Sequence, residues 1–507
     1  MVPKILLFVA GAAVTLSALF VRQAGLDPES LWYDDLVWGA IARAGTMGEV
    51  LRVPAHAAPG FFLVLRGMRA LFGDPEWSLQ LVPFVAGIAA IPVIAWLVRR
   101  LTASDGLALL AAALTALNPL LAHYTIYVKP YSLDFLTTAL FMIGGIALLG
   151  GREVTTGRLV RLVMLSGVGL LVSVTSVFMS APLVNLAALR AWLDRRRAAS
   201  RVVWVAAAYD ACLLAAFLVL RRRSNSALLD DFRDNFIPFS SAGDVGAFLR
   251  TEGTRMLRAG LPSPPDSTPW NPELVPWLLP FVGLGFVWLL ARRASRNVAW
   301  LLAGFGGALL AANAMRLYPI GGNRTAIFAF PVAIALCVMG VHLVTEWTTR
   351  REVLRAAIGL AVAAWAVAVP VRVAYWPSDG VRLVCHIVTH AAPSDGLVLS
   401  NAAAYLVAFY GPWRVTISEN PAMANATAAR VDRDVTLHLP PNVSPVRFLD
   451  AFLEDVRPER VWYVDLGTSD ADDVRRVLAE RGYVLTEGER SVTGGVLLGV
   501  AGRAPPA

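Results

Sequence analysis

The sequence predicts a polytopic α-helical membrane protein that carries a small α/β domain at its C-terminal end. Only 16% of its 507 residues are charged, whereas about a quarter of the residues of a soluble globular protein are charged. The mean hydropathy is +0.58, and the apolar residues come in blocks of roughly 18–22, long enough to cross a ~30 Å hydrocarbon core. The last ~130 residues instead contain short β-branched runs, which are typical of strands.

The apolar blocks predict about eleven membrane-spanning helices. The first block, which begins at Lys4, is as long as a full span and is followed by no evident cleavage site, so we interpret it as a helix and not as a signal peptide. The predicted spans are residues 4–21, 79–98, 104–122, 131–150, 160–176, 177–193, 202–220, 274–290, 298–315, 325–345 and 353–375.

Short arginine clusters between the apolar blocks orient the chain. Cytoplasmic loops carry an excess of Lys and Arg, and a chain of eleven spans with its N-terminus in the cytoplasm places five clusters on that side. A sixth cluster, Arg221 to Arg223, would lie outside. Ten spans would put two other clusters outside instead, so eleven fit better. The five clusters are Arg99-Arg100, Arg152 to Arg161, Arg195 to Arg197, Arg292-Arg293 and Arg350-Arg351.

This topology predicts a transmembrane domain over residues 1–375 and an extracytoplasmic domain over residues 376–507. Two outer loops, residues 22–78 and 221–273, would face the same side. In the C-terminal domain, "DGLVLS", "RVWYVDLG" and "GGVLLGVAG" predict strands, and "ADDVRRVLAERG" predicts a helix that ends at glycine. Strands that alternate with helices are typical of a small α/β domain.

The net charge of +8 does not indicate a nucleic-acid partner. Most of the arginines lie in the clusters between apolar blocks, where they orient the chain in the membrane. The three cysteines are isolated in the sequence and form neither a metal-binding spacing nor an evident disulfide framework. The partner that the composition indicates is therefore the lipid bilayer.

Two adjacent acids, Asp34 and Asp35, follow the first apolar block in the sequence "ESLWYDDLVW". On a short helix adjacent residues point about 100° apart, so only one of the two carboxylates is expected to face a given cavity. A carboxylate in that position can deprotonate an acceptor hydroxyl. The alternative is structural, since acids in a first turn complement the helix dipole and the neighbouring aromatic residues are typical interfacial anchors.

Cationic and phenolic side chains are predicted at the same outer face. Lys129, Tyr131 and Asp134 lie in "NPLLAHYTIYVKPYSLD", between the third and fourth spans, and Arg324 precedes the tenth span in "RLYPIGGNRTAIFAFP". The arginine fork suits bidentate phosphate binding, and a lysine beside a phenol can hold a phosphate. The structural alternatives are a lysine that snorkels to lipid headgroups and an arginine that contacts them.

These motifs, in this order, resemble the bacterial glycosyltransferase family 39-like proteins of the GT-C superfamily, whose relatives include protein O-mannosyltransferases and aminoarabinose transferases. The resemblance is best over residues 29–135 and recurs near 316–331. It implies a GT-C-like fold of about 11 transmembrane helices in a bacterial inner membrane. The segments that carry it are "SLWYDDLVW", "HAAPGFFLVLRGMRALFG", "WSLQLVPFVAGIAAIPV", "NPLLAHYTIYVKPYSLD" and "GGNRTAIFAFP".

The motif positions of the family correspond to single residues of this chain. Asp34 takes the place of the aspartate in the family's Asp-Glu pair, and Asp35 replaces the glutamate. The family's Arg-Pro-Tyr is here Lys129-Pro130-Tyr131, which keeps the charge and loses the fork geometry. Arg324 matches the arginine before a late span. Further candidates for substrate binding are His56, in a loose His-x-Pro-type segment, Tyr124 and Asp134.

The resemblance implies transfer of a hexosyl or pentosyl group from a polyprenyl-phosphate-linked donor to a hydroxyl of a glycan, lipid or protein on the outer face. Asp34 and Asp35 are the predicted catalytic residues, and Lys129, Tyr131 and Arg324 are predicted to bind the donor phosphate. This chemistry requires no metal, although the acidic pair offers ligands for a divalent ion. The alternatives are a flippase for a lipid-linked glycan, which is expected to show inverted repeats that are not evident here, and a glycan polymerase or ligase.

Overall fold

The computed structural model has α-helices at all eleven predicted membrane-spanning positions, which confirms the prediction of a polytopic helical protein. His56 and the side chain of Asp34 lie outside the part of the chain that the structure describes. The described residues are 4–26, 31, 33–43, 58–73, 75–150, 154–194, 199–222, 232–260, 274–293, 295–321, 324–371, 380–390, 392, 395–399, 406–407, 409–411, 415–418, 427–430, 435–438, 460–465, 471–490 and 497–503.

The helices follow the apolar pattern of the sequence closely. In chain order they are α1 (Lys4–Gln23), α2 (Tyr33–Arg43), α3 (Pro59–Phe72), α4 (Glu76–Thr102), α5 (Asp105–Ala116), α6 (Pro119–Tyr124), α7 (Tyr131–Leu149), α8 (Thr156–Val172), α9 (Val177–Leu193), α10 (Ala199–Arg222), α11 (Ala242–Gly260), α12 (Leu274–Ala291), α13 (Arg296–Ala314), α14 (Phe330–Glu346), α15 (Arg351–Ala368), α16 (Gly380–His390) and α17 (Ala471–Glu480). Short 3₁₀ segments occupy Val174–Ser176, Arg233–Asn235 and Arg324–Ala329.

Six helical segments within the described residues are long and apolar enough to cross a membrane, judged by length and composition. The 12-residue α5 is apolar but shorter, as is the stretch Leu278–Ala291 of α12. The number of crossings and the side on which each terminus lies therefore stay predictions. The six segments are α1, α4, α7, α13, Val174–Leu193 and Arg324–Glu346.

The predicted third span, residues 104–122, consists of two helices and not one. The second of them begins at Pro119, because proline lacks an N–H group and disfavours helical backbone in the residue before it. Asn118 caps this helix: its Oδ1 accepts a hydrogen bond from the Leu121 amide at 2.8 Å, and its Nδ2 donates to the Ala259 carbonyl at 2.9 Å. The break is thus stabilised by side-chain hydrogen bonds.

The predicted outer loop 221–273 contains a 19-residue helix, α11, that the sequence analysis did not anticipate. Its Glu252 side chain is buried and accepts a hydrogen bond from Arg255 at 2.6 Å. The charged and glycine residues of α11 give it a low average hydropathy, so it does not resemble a span. It packs against α14.

The chain divides into two compact units. We call one the helical unit and the other the mixed unit; α1 and α5–α15 belong to the first, and α2, α3, α16, α17 and all the strands belong to the second. The predicted boundary between residues 375 and 376 stays a prediction. The helical unit comprises residues 1–26, 80–222 and 228–374, and the mixed unit comprises residues 27–79, 223–227 and 375–507.

Two close helix crossings in the helical unit depend on glycine. Helices α5 and α15 cross at Gly106 and Gly359, and a Cβ atom on Gly106 would lie 2.6 Å from the backbone nitrogen of Ala356. Helices α12 and α14 cross at Gly285 and Gly340, where a Cβ atom on either glycine would overlap a backbone carbonyl of the other helix. Small residues of this kind let membrane helices approach closely.

The mixed unit contains a five-stranded sheet in the order β3-β1-β5-β7-β6. Within it β1 and β5 are parallel and the other neighbours are antiparallel, while β2 and β4 form a separate parallel pair. Strands occur in all three segments where the sequence predicts them. The strands are β1 (Gly396–Leu399), β2 (Val415–Ser418), β3 (Thr427–Arg430), β4 (Val435–His438), β5 (Arg460–Asp465), β6 (Tyr483–Arg490) and β7 (Leu497–Arg503).

A buried carboxylate ties the beginnings of β1 and β5 together. Asp395 accepts hydrogen bonds from the Arg460 guanidinium at 2.6 Å, from the Trp462 indole at 2.8 Å and from the Ala392 amide at 2.8 Å. Burial opposes ionisation of this group, but these hydrogen bonds outweigh it, and the pKa of the Asp395 carboxyl lies below its ordinary value. The ionised form therefore stabilises the sheet.

Replacement of the glycine at one helix crossing tests how tightly α12 and α14 must pack. Gly285→Leu is expected to lower the free energy of unfolding by about 1–3 kcal/mol, because the side chain overfills the crossing. Gly283→Leu, on the same helix, is the matched control, since a Cβ atom at that position would meet nothing within 4 Å. Thermal unfolding of the purified protein in detergent measures both, and equal melting temperatures would contradict the role of Gly285.

Replacement of Asp395 by asparagine removes the ionised partner of Arg460. At pH 7 we expect Asp395→Asn to accelerate amide hydrogen exchange in β1 and β5, because charge-assisted hydrogen bonds contribute about 1.5–3 kcal/mol each. The stabilisation by the carboxylate is present above its ordinary pKa and is lost as the pH falls through the lowered value in the folded chain. The difference between the variant and the unmodified chain should accordingly shrink on acidification; a difference that grows would contradict the ion-pair role.

Candidate active site

The predicted phosphate-binding residues Lys129 and Tyr131 lie at the start of α7 in the helical unit. The connection that leads to them from α6 is buried, and the Tyr127 and Lys129 residues are only 2% and 5% exposed. Its backbone is not helical, and Gln80 stabilises it by donating a hydrogen bond to the Ile126 carbonyl at 2.7 Å. The lysine thus lies on a buried segment of irregular backbone.

Aromatic rings pack in series along this connection. The His123 ring lies 4.4 Å from the Tyr127 ring and 4.9 Å from the Tyr124 ring, and Tyr124 meets Tyr131 edge to face at 4.9 Å. Burial lowers the pKa of the His123 imidazole, so this ring is neutral at neutral pH and adds no charge. The cluster brings Tyr124 and Tyr131, both predicted site residues, into direct contact.

Asp134 lies in the first turn of α7 and is almost fully buried. Its Oδ1 accepts a hydrogen bond from the Ser173 hydroxyl at 2.5 Å, and the Ser173 and Thr175 hydroxyl oxygens are 3.1 Å apart. The carboxylate therefore ties α7 to the end of α8 and the adjoining 3₁₀ segment. In the structure Asp134 is hydrogen-bonded to Ser173. Its predicted contact with substrate therefore stays a prediction.

Arg324 is the first residue of the 3₁₀ segment Arg324–Ala329, which packs against α7. Tyr318 anchors this segment, because its hydroxyl donates a hydrogen bond to the Thr325 carbonyl at 2.8 Å. Burial, and then repulsion from the nearby carboxyl of Asp134, holds the pKa of Tyr318 well above its ordinary value. Tyr318 thus stays protonated and remains a donor to the segment that Arg324 begins.

Sequence reasoning did not single out Tyr318 or Ser173. Tyr318 is part of the quoted segment that contains Arg324, so an aromatic residue next to the Gly-Gly turn was an available signal. Ser173 lies in an apolar stretch far along the chain, and its hydrogen bond to Asp134 depends on how α7 and α8 pack. No pattern in the sequence indicates that pairing.

The acidic pair lies in the mixed unit, at the start of α2. Asp35 is completely buried. Three residues on, Trp38 stacks on Phe62 with ring centroids 5.1 Å apart and meets Phe61 edge to face at 5.5 Å. The aromatic neighbours predicted to be interfacial anchors therefore include one that packs α2 against α3.

A C-terminal segment of the mixed unit completes the surroundings of α2. The Leu31 amide donates a hydrogen bond to the Tyr410 hydroxyl at 2.6 Å, and Arg43 donates to the Phe409 carbonyl while its guanidinium lies 5.7 Å from the Phe409 ring centre. Gly39 permits this approach, since a Cβ atom there would lie 2.8 Å from the same ring. The region around the acidic pair is therefore built from residues far apart in sequence.

The structure places Lys129, Tyr131 and Arg324 on adjoining segments of the helical unit and brings Tyr124 and Tyr131 into contact, and it places the acidic pair in the mixed unit. Convergence of the two sets stays a prediction. Among the residues that the structure describes, no group of three or more His, Cys, Asp or Glu side chains is placed to hold a metal ion.

Comparison with known proteins addresses the fold as a whole. The family model described as dolichyl-phosphate-mannose-protein mannosyltransferase matches residues 56–220. The crystal structure of ArnT from Cupriavidus metallidurans in the apo state is similar over 97% of both chains, with a TM-score of 0.53 at 14% identity. The chain has the GT-C fold. ArnT bound to undecaprenyl phosphate matches equally widely, with a TM-score of 0.54 at 13% identity.

The GT-C fold confirms the resemblance drawn from the ordered motifs. A search of curated proteins finds no match. The family model includes α5, α6 and α7 and thus the segment that carries Lys129 and Tyr131. Together the family match and the GT-C fold support a multi-pass membrane glycosyltransferase.

The anchoring role of Tyr318 can be tested by removal of one oxygen atom. Tyr318→Phe is expected to destabilise the protein by about 0.5–1.5 kcal/mol, because it removes a partly buried hydrogen bond to the carbonyl of Thr325. The measurement is thermal unfolding in detergent. Hydrogen exchange localises the effect, which should be concentrated in residues 324–329; a stability and an exchange pattern like those of the unmodified chain would contradict the assignment.

Proposed function

We propose that this protein transfers a sugar from a polyprenyl-phosphate-linked donor to a hydroxyl acceptor on the extracytoplasmic face of a bacterial inner membrane. The acceptor is a glycan, lipid or protein of the cell envelope. The observation that carries the proposal is the buried Lys129, two residues before Tyr131 at the start of α7, the helix against which the Arg324 segment packs. ArnT, which has the same fold, binds undecaprenyl phosphate in one of its crystal structures.

Burial makes Lys129 suited to a phosphate. A cation that is 5% exposed interacts with an anion through a medium of lower effective dielectric constant than water, so the attraction is stronger than at the surface. The positive end of the α7 dipole adds to it. Arg324 is only partly buried, and its planar fork can take two phosphate oxygens at once.

The proposed reaction is a single displacement with inversion at the anomeric carbon. The acceptor oxygen forms a bond to that carbon as the bond from the carbon to the phosphate oxygen breaks, and the bonding electron pair leaves with the phosphate. The proton of the acceptor hydroxyl passes to the carboxylate of Asp34. Lys129, Tyr131 and Arg324 stabilise the charge that develops on the departing polyprenyl phosphate.

Asp34 is proposed to act without Asp35. Asp35 is fully buried in the mixed unit, and adjacent helix positions point about 100° apart. His56 and Tyr124 are proposed to contact the substrate, as is Asp134. A divalent ion bound by the acidic pair is not needed for this mechanism, since cations already match the leaving phosphate.

Release of free polyprenyl phosphate from a labelled donor tests the proposal. In proteoliposomes with acceptor present, the unmodified chain is expected to release it, Asp34→Asn to lower the rate by about 10²–10⁴-fold, and Arg324→Gln to lower it by about 10²–10³-fold. Arg316→Gln, an exposed arginine before the same segment, is the matched control and should retain the rate.

The outcomes separate the proposed transferase from its competitors. A flippase would move the labelled lipid across the bilayer without releasing polyprenyl phosphate. Full release by Asp34→Asn would contradict the base assignment, and unchanged use of the donor by Arg324→Gln would contradict the phosphate role. Protein levels and melting temperatures of each variant show whether a loss of rate reflects chemistry or folding.

A further inference from the structure

A polar cavity of about 570 Å³ lies in the helical unit, at the opposite ends of α7 and α14 from the candidate active site. Leu149, the last residue of α7, and Glu346, the last residue of α14, both line it. Because α7 has 19 residues, the cavity is roughly 28 Å along that helix from Tyr131. It is therefore separate from the residues proposed to carry the transfer reaction.

Four arginines and two glutamates line this cavity, so its charged groups carry an excess of positive charge. The volume falls in the range of ordinary small-molecule sites, about 300–1,000 Å³. Its walls also include a histidine, an asparagine, a serine and a tryptophan. The charged lining residues are Arg100, Arg292, Arg351, Arg355, Glu346 and Glu352.

Glu346 is already saturated by protein donors. It accepts hydrogen bonds from Arg292 at 2.6 Å and from the Trp288 indole at 3.3 Å, and the His342 Nε2 atom lies 3.2 Å from it. The Arg292 guanidinium also lies 4.9 Å from the centre of the Trp288 ring. Since its oxygen atoms are occupied, this carboxylate is a poor ligand for an additional cation.

Glu352 also has its oxygen atoms occupied by protein donors. It accepts hydrogen bonds from Arg355 at 2.6 Å and from the Ser104 hydroxyl at 2.9 Å. Arg355 is itself fixed by the Thr345 hydroxyl at 2.8 Å and by the His342 carbonyl at 3.1 Å. The close crossing of α5 and α15 positions both partners, so this wall is preorganised.

Arg100 and Arg351 supply the unbalanced charge. Both side chains are exposed, and within the part of the chain that the structure describes neither is paired with a carboxylate. Ala103 lines the same cavity where the chain passes from α4 to α5, and its φ of 55° is a left-handed conformation that a residue with a Cβ atom rarely adopts. Strained backbone of this kind is concentrated at functional sites.

We propose that this cavity binds a phosphate group, with Arg100 and Arg351 as the charged donors and the Arg292–Glu346 and Arg355–Glu352 pairs as a rigid frame. Guanidinium forks match the geometry of phosphate oxygens. The phosphate belongs either to the head group of an anionic phospholipid or to a soluble phosphate. This inference does not depend on the proposed transferase activity.

The positive-inside bias gives a competing explanation for these arginines, because Arg100, Arg292 and Arg351 all belong to clusters predicted to orient the chain. The clusters themselves supply the control. Arg293 and Arg350 are the immediate neighbours of those residues, are exposed, and do not line the cavity. A variant that loses both neighbours changes the net charge by the same amount as one that loses Arg100 and Arg351.

The test titrates the purified full chain in a neutral detergent with dioctanoyl phosphatidylglycerol, with dioctanoyl phosphatidylcholine and with inorganic phosphate, and follows binding by calorimetry. The double variant Arg100→Gln, Arg351→Gln is expected to bind phosphatidylglycerol or phosphate at least about tenfold more weakly than the unmodified chain, because two charge-assisted hydrogen bonds are lost. The double variant Arg293→Gln, Arg350→Gln should bind as the unmodified chain does.

Each outcome decides the proposal. Saturable binding of phosphatidylglycerol alone, lost only in the first variant, supports a phospholipid head group, and the same result with inorganic phosphate supports a soluble phosphate. Equal affinities in both double variants, or no saturable binding of either probe to the unmodified chain, would overturn it. Equal binding of phosphatidylcholine and phosphatidylglycerol by all three proteins would likewise show only general adsorption of lipid.

Discussion

The structure depends on one constraint: backbone groups at membrane depth must be hydrogen-bonded inside the protein, because hydrocarbon offers no water to do so. Helices satisfy it directly, and several departures from helix in the described part of the helical unit are compensated by amide side chains. Asn313 shows this most fully, since its Oδ1 accepts from the Ile237 amide while its Nδ2 donates to the carbonyls of Asn235 and Tyr318. Asn118 and Gln80 do the same around α6. These amides stabilise irregular backbone beside long apolar helices.

The same constraint explains where polar and charged side chains lie along the helices. Interiors of the spans are largely apolar, so charged groups gather near helix ends: Lys129 precedes α7, and Glu346 ends α14. At one end the backbone is irregular and carries Lys129 and Arg324. At the other end it turns sharply, and paired arginines and glutamates line a cavity. Glycine crossings such as Gly106 with Gly359 set the helix spacing on which that cavity depends.

Much of the fold could be predicted because hydrophobic length is a strong signal, and all eleven apolar blocks contain helices. The break at Pro119 was readable from its residue type, yet the block was interpreted as one span because its hydropathy is continuous. Helix α11 was missed because its stability comes from packing on α14, which composition does not record. The candidate site shows the same division: Lys129, Tyr131 and Arg324 were found by motif, whereas Ser173 and Tyr318 act through contacts that only the packed helices create.

The burial of Asp35 bears on the proposed roles of the acidic pair. Asp35 is inaccessible to solvent in the mixed unit, and the positive end of the α2 dipole favours a carboxylate at that place. A metal bridging both acids would require their carboxylates to converge, but adjacent helix positions diverge by about 100°. Burial of one member therefore argues against shared metal ligation and in favour of a structural role for Asp35. On this argument the replacement of the family's glutamate by aspartate at that position shortens a buried side chain, and the proposed transfer chemistry rests on Asp34.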